Sequence, residues 1–201
     1  MLSERSRPPS SPSPDALSQL TLPRLGQRLL AKLEDRLPVV IDRRCHPRPD
    51  MVYVPLGRTG LRVSVMGLGC GGFSRLGLGT GKTHRQAAGL VRSALALGIN
   101  LIDTAEAYGT ETVVGRALRG VPRESVILST KKVVDHRRRI LTPQDLIASL
   151  DRNLQRLGTD YIDIYHLHGV KPDCYAAVAD ALVPTLETLR EAGKIRFLGI
   201  T

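Results

Sequence analysis

The sequence predicts an α/β protein built on a parallel sheet. Short apolar runs alternate with stretches of helical spacing from residue 51 onwards, in a β-α-β-α-β-α-β-α-β rhythm. The helical stretches carry start and stop residues at their ends, and right-handed crossovers between successive strands make the strands parallel. Three of the apolar runs also end in residues capable of chemistry. They are Asp103, Lys131 and His168, with Tyr108 following shortly after the first. In a parallel α/β sheet, the C-terminal strand edge is where active sites are built.

Taken in order, residues 52–55 and 61–63 flank Gly57 and Gly60 and read as a small hairpin. Residues 64–68 are a short strand entering a glycine-rich loop over 69–81. Residues 83–97 form a helix: Thr83 is the N-cap, Ala87, Leu90, Val91, Ala94 and Leu97 share a face, and Gly98 stops it. A strand over 100–104 and a helix over 111–119 follow, and Gly120 and Pro122 close that helix. Residues 126–131 are the next strand. The helix over 142–157 opens with Thr142 and Pro143, a capping hydroxyl before proline at the first helical position, and Gly158 ends it. A strand over 162–168, a helix over 175–192 ended by Gly193, and a strand over 195–200 complete the chain.

Residues 1–50 have a different composition. They read as a basic, Ser/Pro-rich and disordered N-terminal extension, with 51–201 as the folded part. Leu25, Leu29, Leu30, Leu33 and Leu37 give 16–37 some helical spacing, which Pro23 and Gly26 interrupt. Because regular periodicity begins at Met51, that residue is also a candidate translation start. The net charge is +10, from 29 Lys and Arg against 19 Asp and Glu. Only Arg137, Arg138 and Arg139 form a tight basic run, and aromatics for base stacking are scarce, so no nucleic-acid partner is expected. A groove holding dinucleotide phosphates accounts for part of the charge. Cys45, Cys70 and Cys174 show no CxxC spacing and imply neither a disulfide framework nor a zinc site. No apolar run is long enough to span a membrane, and no signal segment opens the chain, so a cytoplasmic protein is expected.

Two patterns in the glycine-rich loop imitate nucleotide sites. Gly67, Gly69 and Gly72 satisfy GxGxxG, but the residues after Gly72 cannot form the first turn of a helix facing a pyrophosphate. Gly81, Lys82 and Thr83 resemble a phosphate-binding loop, yet Leu76 stands where its first glycine belongs. The expected role is a loop over the top of the sheet, near substrate or cofactor.

Asp103 ends an apolar strand, so its carboxylate needs a cation, and Lys131 at the end of the next strand supplies one. A lysine beside Tyr108 favours its phenolate, which makes Tyr108 a general acid for a carbonyl oxygen. His168 can hydrogen-bond the same oxygen. His166 and His168 lie on one strand face and offer, with Asp163, an alternative metal pair. No further ligand set is evident beyond Asp103, so no metal is expected.

Five segments resemble the aldo-keto reductase family over nearly all of 52–201. They are PLGRTGLRVSVMGLGCGGF, GINLIDTAEAYG, VILSTK, SLDRNLQRLGTDYIDIYHLH and GKIRFLGIT. The resemblance implies a (β/α)8 barrel of the TIM type, opened by a hairpin across its bottom. It is incomplete here, with five strands and without the last three and their helices. It also implies NADP(H), less often NAD(H), and interconversion of a small carbonyl compound and an alcohol by hydride transfer. The family's catalytic Asp, Tyr, Lys and His would fall on Asp103, Tyr108, Lys131 and His168. Lys132 competes with Lys131, and the register after Ser129 and Thr130 favours Lys131. Most cofactor-gripping residues are expected beyond Thr201, so none is assigned. The expectation is a piece of a longer enzyme, or a truncated product with an inactive or purely interacting role.

Overall fold

A computed structural model describes residues 51–136 and 139–201. The readings made for 1–50, for Cys45 and for the basic run at Arg137 and Arg138 lie outside the described residues.

The described part opens with β1 (Tyr53–Pro55) and β2 (Arg62–Ser64), an antiparallel hairpin in which Tyr53 faces Ser64. The next strand, β3 (Gly67–Gly69), starts later than the sequence predicts, because Ser64 is held in the hairpin. Its N–H donates to the Asn100 side chain at 2.7 Å, and its hydroxyl accepts from the Asn100 N–H at 3.0 Å. After a loop, α1 (His84–Ala96) begins at Thr83, whose hydroxyl accepts from the Gln86 N–H while the Gln86 side chain reaches back to the Thr83 N–H. The stripe that α1 buries is Ala87, Ala88, Val91 and Ala94, whereas Leu90 and Leu97 stay exposed on its flank. The expected face is thus rotated towards the smaller side chains.

β4 (Leu101–Asp103), α2 (Glu111–Leu118) and β5 (Ile127–Val133) follow. A short antiparallel pair not anticipated from the sequence comes next, β6 (Asp135–His136) with β7 (Arg139–Ile140). Then α3 (Pro143–Leu157) starts on the Thr142 cap, with Asp145 closing the capping box, and stops at Gly158 in the left-handed region at φ 65°. β8 (Ile162–His168), α4 (Tyr175–Glu191) and β9 (Ile195–Ile200) complete the order. The sheet order is β3-β4-β5-β8-β9, and every pairing in it is parallel.

Alternation along the strands separates the two faces of this sheet. Ile102, Leu128, Tyr165 and Leu167 bury against Val91, Val114, Leu146, Leu150, Leu182 and Leu186 of the four helices. On the other face, Leu101, Ile127, Ile164 and Phe197 meet Leu56, Leu61 and Val63 of the hairpin. Leu101 and Ile127 begin their strands, so the hairpin covers the N-terminal end of the helix-free face. Polar side chains occupy the same face higher up.

Candidate active site

Asp103 is the last residue of β4, and alternation from Leu101 sets it on the helix-free face above the hairpin. Its Oδ2 accepts from Lys131 Nζ at 2.6 Å and its Oδ1 from the Ser129 hydroxyl at 2.7 Å. Lys131 is 6% exposed, and its ammonium also donates to the Thr104 carbonyl at 2.9 Å. A buried ammonium requires such partners, and here the carboxylate and the carbonyl replace water. Lys131 does not end its strand as expected. β5 continues to Val133 because its partner β8 does, with Lys131 opposite His166 and Val133 opposite His168. Lys132 points to the opposite face, where its Nζ lies 2.8 Å from Glu106 Oε2. The structure therefore brings Lys131, not Lys132, to Asp103.

Tyr108 sits in a single 3-10 turn, Glu106–Tyr108, that leaves β4 through the buried Ala105 and ends at Gly109 in the left-handed region at φ 71°. Lys131 Nζ stands 5.3 Å from the centre of the Tyr108 ring. The His168 ring meets it edge-on, with centres 5.9 Å apart and planes at 89°. Gly71 packs flat on the phenol: a Cβ there would come within 2.7 Å of the ring. That close approach accounts for Gly71. The loop it belongs to runs through turns and a short 3-10 helix at Leu78–Thr80, with no α-helix until His84.

His168 ends β8. Burial first, and then the Lys131 charge, push its imidazole below the usual histidine range, against the opposing pull of Asp103. Its Nδ1 is buried with no hydrogen-bond partner among the described residues. His166 is pushed down in the same way, by burial first, then by Lys131 and His168, with Asp103 opposing. Its Nε2 lies 3.1 Å from the Ser129 hydroxyl. Since Ser129 donates its only proton to Asp103, His166 Nε2 is the donor of this pair, and its Nδ1 is left without a partner. Gly199 lies against that ring, where any Cβ would overlap it.

Sequence reasoning brought Asp103, Tyr108, Lys131 and His168 together, and the structure gathers all four at one place. It missed the roles of Ser129, Gly71 and Gly199. The metal pair proposed with Asp163 does not assemble. Asp163 lies on the other face of β8 and binds Arg123, Arg196 and the Leu128 N–H, at 2.7, 2.7 and 2.9 Å. Among the described residues, no group of three or more His, Cys, Asp or Glu side chains is placed to hold a metal.

The arrangement is that of a parallel α/β fold with a charged layer at the C-terminal end of its strands. Residues 65–201 match the model of the aldo/keto reductase family, and the chain belongs to that family. It is 36% identical over 152 residues to L-galactose dehydrogenase of Arabidopsis thaliana, covering 73% of this chain and 47% of that protein. It is 36% identical over 168 residues to the NADH-specific methylglyoxal reductase of Escherichia coli (strain K12), covering 74% and 51%. The holo form of an aldo-keto reductase from Bacillus halodurans superposes with a TM-score of 0.62 at 33% identity, over 75% of this chain and 50% of that one. The chain thus spans about half the length of the curated relatives it matches.

Proposed function

We propose that the protein containing this chain is an NAD(P)H-dependent oxidoreductase that interconverts a small aldehyde or ketone and the corresponding alcohol. The observation that carries the reading is the 2.6 Å Asp103–Lys131 contact, with Lys131 Nζ 5.3 Å from the centre of the Tyr108 ring and that ring edge-on to His168. Tyr108 gives its proton to the carbonyl oxygen during reduction and takes it back during oxidation. Lys131 supports this by placing a cation next to the phenol as negative charge develops there. Asp103 keeps that cation in place, and Ser129 fixes the carboxylate. His168, whose pKa is held below the usual histidine range by burial and then by Lys131, donates a ring N–H to the same carbonyl oxygen, orienting it towards Tyr108.

The residues present suit the reactive end of a nicotinamide dinucleotide. Among the described residues, a Cβ at Gly69, beside Asp103, would meet nothing within 4 Å, so they leave room on the helix-free face next to the charged layer. When bound there, the cofactor supplies the hydride. NADP(H) is the family's usual choice, and the name of the Escherichia coli relative keeps NAD(H) in view.

Incubation of the complete protein with NADPH or NADH carrying deuterium at both C4 positions, and with 4-nitrobenzaldehyde, tests the reaction. The expected product is the alcohol carrying one deuterium on its carbinol carbon. Alcohol formed without that deuterium, or no alcohol with either cofactor, would overturn the proposal.

A further inference from the structure

Lys131 and Lys132 are neighbours in β5 and point to opposite faces, yet both grip the same short segment. Lys131 binds Asp103 and the Thr104 carbonyl, where the segment leaves β4. Lys132 binds Glu106, the first residue of the turn that carries Tyr108. Glu106 Oε2 also accepts from the Ser149 hydroxyl of α3 at 2.5 Å, and Arg156 approaches its Oε1 at 3.8 Å. Ser149 is fully buried, and the Lys132 and Glu106 side chains are each 20% exposed. An exposed ion pair in that position would contribute little. This one is closed by a buried hydroxyl and a second cation, so the carboxylate has a fixed place.

The packing of α2 and α3 on β5 has support beyond these bonds, with Arg156 shared between Glu106 and Glu111. It has its own buried centre: Glu111 accepts from Thr130, Asn153 and Arg156 at 2.7 to 2.9 Å, and Tyr165 donates to Asn153 at 3.0 Å. What the Glu106 contacts add is a fixed turn. Tyr108 follows two residues later, and the Thr104–Thr110 hydroxyl pair at 2.8 Å closes the loop at its base.

We infer that Glu106 is a positioning residue for Tyr108, held by Lys132 and Ser149 so that the phenol stays over Lys131 and against His168. This rests on the reading of Tyr108 as the proton donor. A turn released from β5 and α3 would let the phenol drift, and misplacement by about 1 Å costs on the order of a hundredfold in rate.

The test compares Glu106→Gln, Lys132→Met and Lys132→Arg in the complete protein. One readout is the NMR signal of ring-labelled tyrosine, with the Tyr108 resonance assigned by its loss in Tyr108→Phe. The other is steady-state reduction of 4-nitrobenzaldehyde by NADPH or NADH across pH. In Glu106→Gln and Lys132→Met, the Tyr108 resonance should move or broaden while that of the distant Tyr53 stays. Their kcat should fall about a hundredfold with little change in KM for the cofactor. Lys132→Arg keeps the ion pair and should remain close to wild type. If Glu106→Gln does not fold, Lys132→Met decides, since it leaves the Ser149 bond in place. An unmoved Tyr108 resonance with unchanged kcat and pH profile would overturn the inference, even if both variants melted earlier. A wild-type protein without turnover would instead refute the proposed function, and the tyrosine signal alone would then decide the positioning role.

Discussion

At the scale of single residues, the site depends on two glycines and two histidines as much as on its charged pair. Gly71→Ala places a methyl group within 2.7 Å of the phenol, and one of the two must give way. We predict a stability loss of about 1–3 kcal/mol together with a large fall in turnover, both read on the same preparation by urea unfolding and steady-state kinetics. His166 and His168 each have a folded-state pKa below the ordinary value. The unfolded chain therefore binds more protons than the native one in the window just below about pH 6.5. Stability should be complete above that window and should decline as pH falls through the lower, folded values. Replacing both histidines by glutamine should flatten this part of the curve, and an unchanged curve would contradict the assignment. Cys70, behind the same layer, is fully buried, and its thiol is pushed up to about 12 by burial, with Asp103 adding and Lys131 opposing. It should resist alkylation in the native protein at neutral pH.

At the scale of elements, β5 organises the site. Its alternation sends Ile127, Ser129 and Lys131 to the helix-free face, and Leu128, Thr130 and Lys132 towards the helices. One strand thereby supplies part of the hairpin contact, the Asp103 partners and the clamp on the Tyr108 turn. At the opposite end of β8, Asp163 is fully buried between Arg123 and Arg196. Asp163→Ala leaves the buried Leu128 N–H without its acceptor and should cost roughly 3–5 kcal/mol, measured by denaturant unfolding. Capping is a smaller effect: Thr142→Ala should cost about 1 kcal/mol by the same measurement. Helix positions were legible in the sequence because caps and glycine stops are local signals, as Thr83, Thr142 and Gly158 show. Strand limits were less so. Ser64 went to the hairpin through Asn100, far along the chain, and β5 outran Lys131 because β8 paired with it further. Ser129 and Gly71 were invisible as site residues, since one gains its meaning from Asp103 and the other from Tyr108, both distant in sequence.

At the scale of the whole molecule, the fold class was readable because caps, glycine stops and short apolar runs are local signals. Asp103, Lys131 and His168 were singled out at strand ends and Tyr108 just past one, and alternation sets the three strand residues on the helix-free face. The hairpin then fills the lower part of that face. Among the described residues, β3 and β9 each pair on one side only. Unpaired strand edges of this kind recruit further strands. Residues 51–201 expressed alone should therefore aggregate and melt without a cooperative transition, and a sharp two-state melt would contradict that expectation. No helix among the described residues is long and apolar enough to cross a membrane. The central claim is that Tyr108, set by Lys131 and Asp103, transfers the proton in carbonyl reduction. Its most direct test is the oxidation of NADPH or NADH by the complete protein with 4-nitrobenzaldehyde, in wild type and Tyr108→Phe. The account predicts measurable turnover that falls at least about a hundredfold in the variant, with cofactor binding retained. Equal turnover in the two proteins would contradict it.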